Sequence, residues 1–186
     1  MGDKLKFPID NIVLRQPEKK DLCALYVQKN DPEIAKLLGG FSNGYSNDGL
    51  LEWLDFHREC NDEVLWTIAG KEKDDCLGHV GLYKIDQRIR SAEFAIMIGD
   101  KSTWGHGIGP KVSWFVIEYG FNYLNLNRIQ LTVLSTNTRA LNLYKKLGFK
   151  EEGIQREAQF KGGCYEDLVL MSILRREYDE FKKISP

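Results

Sequence analysis

Trp104-Gly105-His106-Gly107-Ile108-Gly109-Pro110 decides the fold, because it joins two stretches of different period. Upstream, Ala92-Glu93-Phe94-Ala95-Ile96-Met97-Ile98 reads as a strand. Downstream, residues 111–124 set Val112, Phe115, Val116, Tyr119 and Tyr123 near a 3.6-residue spacing, which predicts a helix. Pro110, with its fixed φ and missing N–H, suits a first helical turn. A glycine-rich loop between strand and helix leaves backbone N–H groups uncovered at the positive end of a helix dipole, a place for a phosphate or pyrophosphate. The spacing matches neither GxxxxGK[ST] nor GxGxxG. A tight turn that needs glycine for steric reasons explains the same residues, so the loop alone leaves its ligand open.

Working outward, Arg128-Ile129-Gln130-Leu131-Thr132-Val133-Leu134 reads as a strand. A crossover through the intervening helix sets it parallel to residues 92–98. Strands at residues 64–69 and 76–83, with short polar turns at 71–75 and 86–90, make an antiparallel meander with 92–98. Nearer the N-terminus, residues 12–15 form a short strand. Residues 21–28 and 31–38 form helices, the second opened by Asp31-Pro32 and stopped by Gly39-Gly40. A loop spans residues 39–49 and a third helix residues 50–60. After the strand at 128–134 come a helix at residues 138–147, ended by Gly148, and a strand pair at 149–157 and 166–174 around Lys161-Gly162-Gly163. The expected fold is α/β (α+β): one domain over residues 1–186, with a mostly antiparallel sheet and one parallel βαβ crossover.

The 186 residues, 42% hydrophobic and 28% charged, fit an ordinary soluble domain with room for a core. A net charge of −1 offers no basic field for nucleic acid. No apolar run is long enough for a membrane span, and no basic-then-apolar leader opens the chain, so a cytoplasmic protein is expected. Cys23, Cys60, Cys76 and Cys164 lack CxxC spacing and read as reduced structural thiols. His57, His79 and His106 are equally scattered, so no metal site is expected. His106 lies inside the glycine loop, either as a donor to a phosphate or as a solvent-facing side chain.

A second segment narrows the choice: Asn137-Thr138-Arg139-Ala140-Leu141-Asn142-Leu143-Tyr144-Lys145-Lys146-Leu147-Gly148-Phe149. Together with the glycine loop it resembles the GNAT superfamily of acetyl-CoA-dependent N-acetyltransferases, through Asn137, Ala140, Leu143, Tyr144, Gly148 and Phe149. The later Gly163-Cys164-Tyr165-Glu166-Asp167 resembles the branch containing ribosomal-protein N-terminal, spermidine and nucleotide-sugar acetyltransferases. The resemblance runs over residues 9–178. It implies a GNAT-like sheet with helices on both faces, whose two parallel strands splay into a slot for the pantetheine arm of acetyl-CoA, a co-substrate. Residues 92–98 and 129–134 are those strands. The resemblance assigns pantetheine contacts to Met97, Ile98 and Gly99, and the pyrophosphate grip to Trp104, Gly105, His106, Gly107, Ile108 and Gly109. Asn137 meets the arm, with Asn142 and Lys145 at the helix edge. The chain departs from the family in carrying Trp104 and His106 where Arg, Gln or Lys is usual, and Pro110 where Thr or Ser is usual.

Acetyl transfer to an amine must remove a proton from the amine, stabilise an oxyanion and protonate a leaving thiolate. By resemblance Tyr144 is the general acid; by itself it is also a fitting core aromatic on an amphipathic helix. Backbone N–H groups near Met97 and Ile98 would polarise the thioester carbonyl. Strand alternation puts Glu93 on one face with Ala95 and Met97, which makes Glu93 the candidate base, directly or through water; an exposed strand glutamate is the plain alternative. The acceptor is an amine of a small molecule or a protein N-terminus. Between Lys29 and Glu63 eight acidic residues face three basic ones, a rim that would attract a cationic amine unless these are only solvated helix faces. A homodimer accords with the resemblance. Two other functions use the same scaffold: transfer from another acyl-CoA, and non-catalytic acyl-CoA binding.

Overall fold

The computed structural model describes residues 6–39 and 43–184; residues 40–42 of the loop expected at 39–49 lie outside that range. In chain order the elements are β1 (Lys6–Ile9), β2 (Ile12–Arg15), α1 (Leu22–Lys29), α2 (Pro32–Leu37), α3 (Asn47–Glu59), β3 (Val64–Gly70) and β4 (Cys76–Asp86). They continue with β5 (Ser91–Ile98), α4 (Ile108–Asn122), β6 (Arg128–Leu134), α5 (Thr138–Lys146), β7 (Lys150–Lys161), β8 (Cys164–Leu174) and α6 (Arg175–Ile184). The strands form one sheet in the order β1-β2-β3-β4-β5-β6-β8-β7. Every neighbouring pair is antiparallel except β5 and β6, which α4 joins as the expected crossover. The predicted fold class is the observed one.

Local chemistry moves some boundaries. Helix α3 begins three residues before the predicted start, because the Ser46 hydroxyl accepts from the Gly49 N–H and caps it. Helix α4 also begins early, at Ile108, with Gly107 at its cap in the left-handed conformation, φ 76°. Pro110 still lies in the first turn, where its missing N–H costs no helical bond. Periodicity predicts neither β1, four residues at the sheet edge, nor α6, whose sequence RREYDEFKKI is mostly charged. Helix α6 is held by Tyr178, 1% exposed and stacked on Phe121 at 4.8 Å between centroids.

The alternation of β5 sorts its side chains between two layers. Ala92 and Phe94 join the main core with Val112, Val116 and Ile117 of α4. Met97, on the other face, packs with Leu25 of α1 and Ile34 of α2. Helices therefore cover both faces. Below α1, Arg15 donates two 2.8 Å bonds to the Asp21 carboxylate, which also accepts from the Thr67 hydroxyl at 3.0 Å. All three are at most 2% exposed, and a buried charge survives only when paired in this way. The network fixes the start of α1 against β2 and β3, and so sets where Lys29, at its far end, stands.

Candidate active site

The parallel pairing is short. Strands β5 and β6 are in register at Ser91 with Arg128, Ala92 with Ile129 and Glu93 with Gln130, and their pairing ends there. Beyond it β5 stays bonded to β4 as far as Ile98 opposite Gly78, and β6 to β8 as far as Leu134 opposite Leu168. The two strands thus part company and leave a wedge. Residues 94–98 on one side and 131–134 on the other line a cleft of about 1200 Å³. Backbone groups facing a wedge have no strand to pair with, so an extended ligand carrying amides can complete their hydrogen bonding.

The glycine loop stands at one end of this cleft. Trp104 fastens it, donating from Nε1 to the Ile98 carbonyl at 2.9 Å, and the Arg139 guanidinium lies 5.2 Å from the Trp104 ring. Gly105 and Gly107 have positive φ, and a side chain built on either would meet nothing within 4 Å. The amino end of α4 is therefore open, and the N–H groups of its first turn and its dipole offer a place for an anion. Trp104, Gly105, Gly107, Ile108 and Gly109 all line the cleft. His106 is exposed and outside the lining, its N–H directed to the Thr103 carbonyl at 3.4 Å. Gly99 is also outside: it lies against the Gln28 side chain, which leaves no room for a Cβ.

Helix α5 also walls the cleft, next to the glycine loop. Asn137 caps it, its Oδ1 accepting from the Ala140 N–H at 3.1 Å while its Nδ2 donates to the Leu37 carbonyl at 3.0 Å. One side-chain amide thus ties α5 to the end of α2. Lys161 in the β7–β8 hairpin also reaches α2, donating to the Ala35 carbonyl at 2.8 Å. Arg139, Asn142, Leu143 and Lys146 line the cleft, whereas Lys145 is turned away and pairs with Glu151 at 2.7 Å. The helical period carries this signal: 139, 142, 143 and 146 share a face and 145 does not.

Tyr144 is 8% exposed, edge-on to Phe94 at 6.1 Å and tilted against Phe149 at 5.8 Å. Its hydroxyl has no protein partner among the described residues, and burial pushes its pKa up to about 12. Glu93 also lines the cleft, at the vertex where β5 and β6 separate, and the Lys84 ammonium holds its carboxylate at 3.0 Å. Across the strands His79 stands opposite Met97 and Tyr83 opposite Glu93, so these four share a face. Burial pushes the Tyr83 phenol up. The two ring nitrogens of His79 are buried and lack a partner among the described residues, and burial holds its pKa well below the usual value. The imidazole is therefore neutral.

The acidic rim does not form. Asp31 and Glu33 both pair with Lys101, Asp55 with Arg58 and Glu63 with His57. Asp62 accepts from the Cys60 thiol, and Asp48, Glu52 and Glu59 are exposed. None of the eight lines the cleft. The charge from that stretch that does line it is Lys29, whose ammonium lies 4.2 Å from the Trp53 ring and 5.2 Å from that of Tyr45. Burial pulls it down to about 8.

A splayed parallel pair, an open helix N-terminus and a capped helix bearing a free buried phenol occur here in one cleft. The family model for the acetyltransferase (GNAT) domain matches residues 11–150. The chain belongs to the GNAT acetyltransferase family. Among its relatives, the spermidine N(1)-acetyltransferase of Vibrio cholerae is 33% identical over 168 residues, covering 90% of this chain and 95% of that protein. The putative ribosomal N-acetyltransferase YdaF of Bacillus subtilis is 32% identical over 176 residues, 91% of this chain and 94% of the other. A crystal structure of the Vibrio cholerae spermidine N-acetyltransferase in complex with CoA and spermine superposes with a TM-score of 0.84 at 31% identity, covering 91% of this chain and 99% of that one. This GNAT protein is thus an acetyl-CoA-dependent N-acetyltransferase, with acetyl-CoA as co-substrate. Among the described residues no group of three or more His, Cys, Asp or Glu is placed to hold a metal ion, and no helix is long and apolar enough to cross a membrane.

Proposed function

We propose that the chain transfers the acetyl group of acetyl-CoA directly to the primary amine of a small molecule, within the cleft between β5 and β6. The observation that carries this is Tyr144, a buried phenol that lines the cleft, packs against Phe94 and Phe149 and has no hydrogen-bond partner among the described residues. The relatives named for spermidine support a small-molecule amine as the acceptor class.

The residues divide the work. Uncovered N–H groups of Gly107, Ile108 and Gly109 hold the pyrophosphate, while Met97 and Ile98 present backbone groups to the pantetheine amides and, at the thioester, a donor to the oxygen that becomes negative. The amine nitrogen attacks the carbonyl carbon, and the carbon–sulfur bond then breaks with its electron pair on sulfur. Tyr144 gives its proton to that sulfur, and Glu93 takes the proton lost by the amine, directly or through a water. Burial pushes the Tyr144 phenol up to about 12, so it stays protonated at neutral pH, as an acid must. Among the described residues the cleft lining holds no Ser/His/Asp or Cys/His arrangement.

The test is release of free thiol from acetyl-CoA across amino acids, aminosugars, nucleotide-linked aminosugars, polyamines and basic N-terminal peptides. At least one small amine should turn over with stoichiometric formation of its N-acetyl product. Turnover of peptides alone would replace the small-molecule reading. No release with any amine, under conditions where acetyl-CoA raises the melting temperature, would leave a coenzyme-binding protein without transfer.

A further inference from the structure

Lys29 is a charge that the transfer chemistry leaves unused. It lines the cleft on the side of the sheet that bears Met97, His79 and Glu93, whereas α4, whose N-terminus faces the coenzyme's phosphates, packs against the other side through Phe94. Its ammonium rests on the rings of Trp53 and Tyr45. Among the described residues no carboxylate and no carbonyl accepts a bond from it. The groups around it bring no negative charge: His79 is neutral with both nitrogens unpartnered, the Glu63 carboxylate is taken by His57, and Glu93 is taken by Lys84.

A half-buried cation that meets only ring faces, beside an imidazole whose buried nitrogens are unsatisfied, is costly unless something arrives to pair with it. A polyamine would add a second ammonium at the same place. We propose, resting on the transfer function above, that the acceptor is an amine bearing an anionic oxyacid group, carboxylate or phosphate, which Lys29 binds while the amine reaches the thioester near Tyr144 and Glu93. The site then selects by charge at one end and reacts at the other. In this respect the chain departs from its relatives named for spermidine, although the scaffold is shared.

Steady-state kinetics with amino acids, aminoalkyl phosphates and spermidine, on the wild type and on Lys29→Met, Lys29→Arg and Lys29→Glu, provide the test. The wild type should favour the anionic amines over spermidine in kcat/KM by about tenfold or more. K29M should lose that preference mainly through KM, K29R should keep it, and K29E should turn it toward spermidine, with acetyl-CoA affinity unchanged in all three. The carboxylate and phosphate arms identify which oxyacid is read. A wild-type preference for spermidine, or an unaltered preference in K29M, overturns the proposal. Weakened acetyl-CoA binding in K29M overturns it as well, by assigning Lys29 to the coenzyme. Absence of thiol release with every amine, anionic or not, would instead refute the transfer function on which it stands.

Discussion

Removing a single oxygen atom should separate catalysis from folding in this protein. In Tyr144→Phe the ring keeps its packing against Phe94 and Phe149, and among the described residues the lost hydroxyl has no protein hydrogen bond to give up. Deleting an unpartnered polar group costs no intramolecular bond, so stability should move by less than about 1 kcal/mol. For a chain of this size that is a shift in Tm of no more than about 2–4 °C. Turnover should behave differently. A positioned general acid contributes roughly 10²–10⁴-fold, so kcat should fall by about 3–5 kcal/mol in barrier height. Acetyl-CoA affinity should hold, because the loop at the N-terminus of α4 is untouched. Calorimetric unfolding, coenzyme titration and thiol release on the same preparation measure all three. Unchanged kcat would remove Tyr144 from the acid role. A large fall in Tm would show that the hydroxyl has a structural partner.

Other expectations concern the loop and the sheet. Gly107→Ala places a Cβ in open space but at φ 76°, so its cost is backbone strain of about 1–2 kcal/mol; a variant as stable as the wild type would contradict the left-handed cap. The same substitution should weaken acetyl-CoA binding by tilting the N–H groups of the first turn. His106→Ala should leave coenzyme affinity within about a factor of two, as for an exposed side chain outside the cleft; a larger loss in titration would put the imidazole on a phosphate. Glu152 is held down to about 2, first by its bond from Arg128 and then by that from Ser172. Its folded pKa lies below the usual 4.5, so its contribution to stability is present above 4.5 and is lost as pH falls toward 2. In Arg128→Gln the carboxyl midpoint should rise from about 2 toward the usual 4.5 by NMR, the Ser172 bond remaining, and an unmoved midpoint would rule out the ion pair as the cause.

Much of this was legible in the chain. The change of period across residues 104–110 carried the crossover, and the alternation of β5 carried the sharing of one face by Glu93, Ala95 and Met97. What was not legible depended on contacts between distant residues. Lys101 neutralises Asp31 and Glu33 from about seventy positions away, so counting charges between Lys29 and Glu63 could not foretell the cleft's potential. His106 turns outward because the glycines on either side take positive φ, a property of the loop's path rather than of its composition. Lys145 differs from Lys146 by a rotation of about 100° on α5, which the helical period would have revealed. Helix α6 escaped because Tyr178 and Phe181 are its main apolar anchors.

The early end of pairing between β5 and β6 bears on how long the protein survives in a cell. A sheet that its co-substrate completes, as proposed above, would owe part of its resistance to degradation to that molecule's concentration. At a hundred times its dissociation constant a ligand adds about 2.7 kcal/mol to the folded state. Starvation for acetyl-CoA should therefore shorten the half-life of the polypeptide as well as slow its turnover of substrate. Pulse proteolysis with and without the coenzyme would show whether abundance follows metabolic supply.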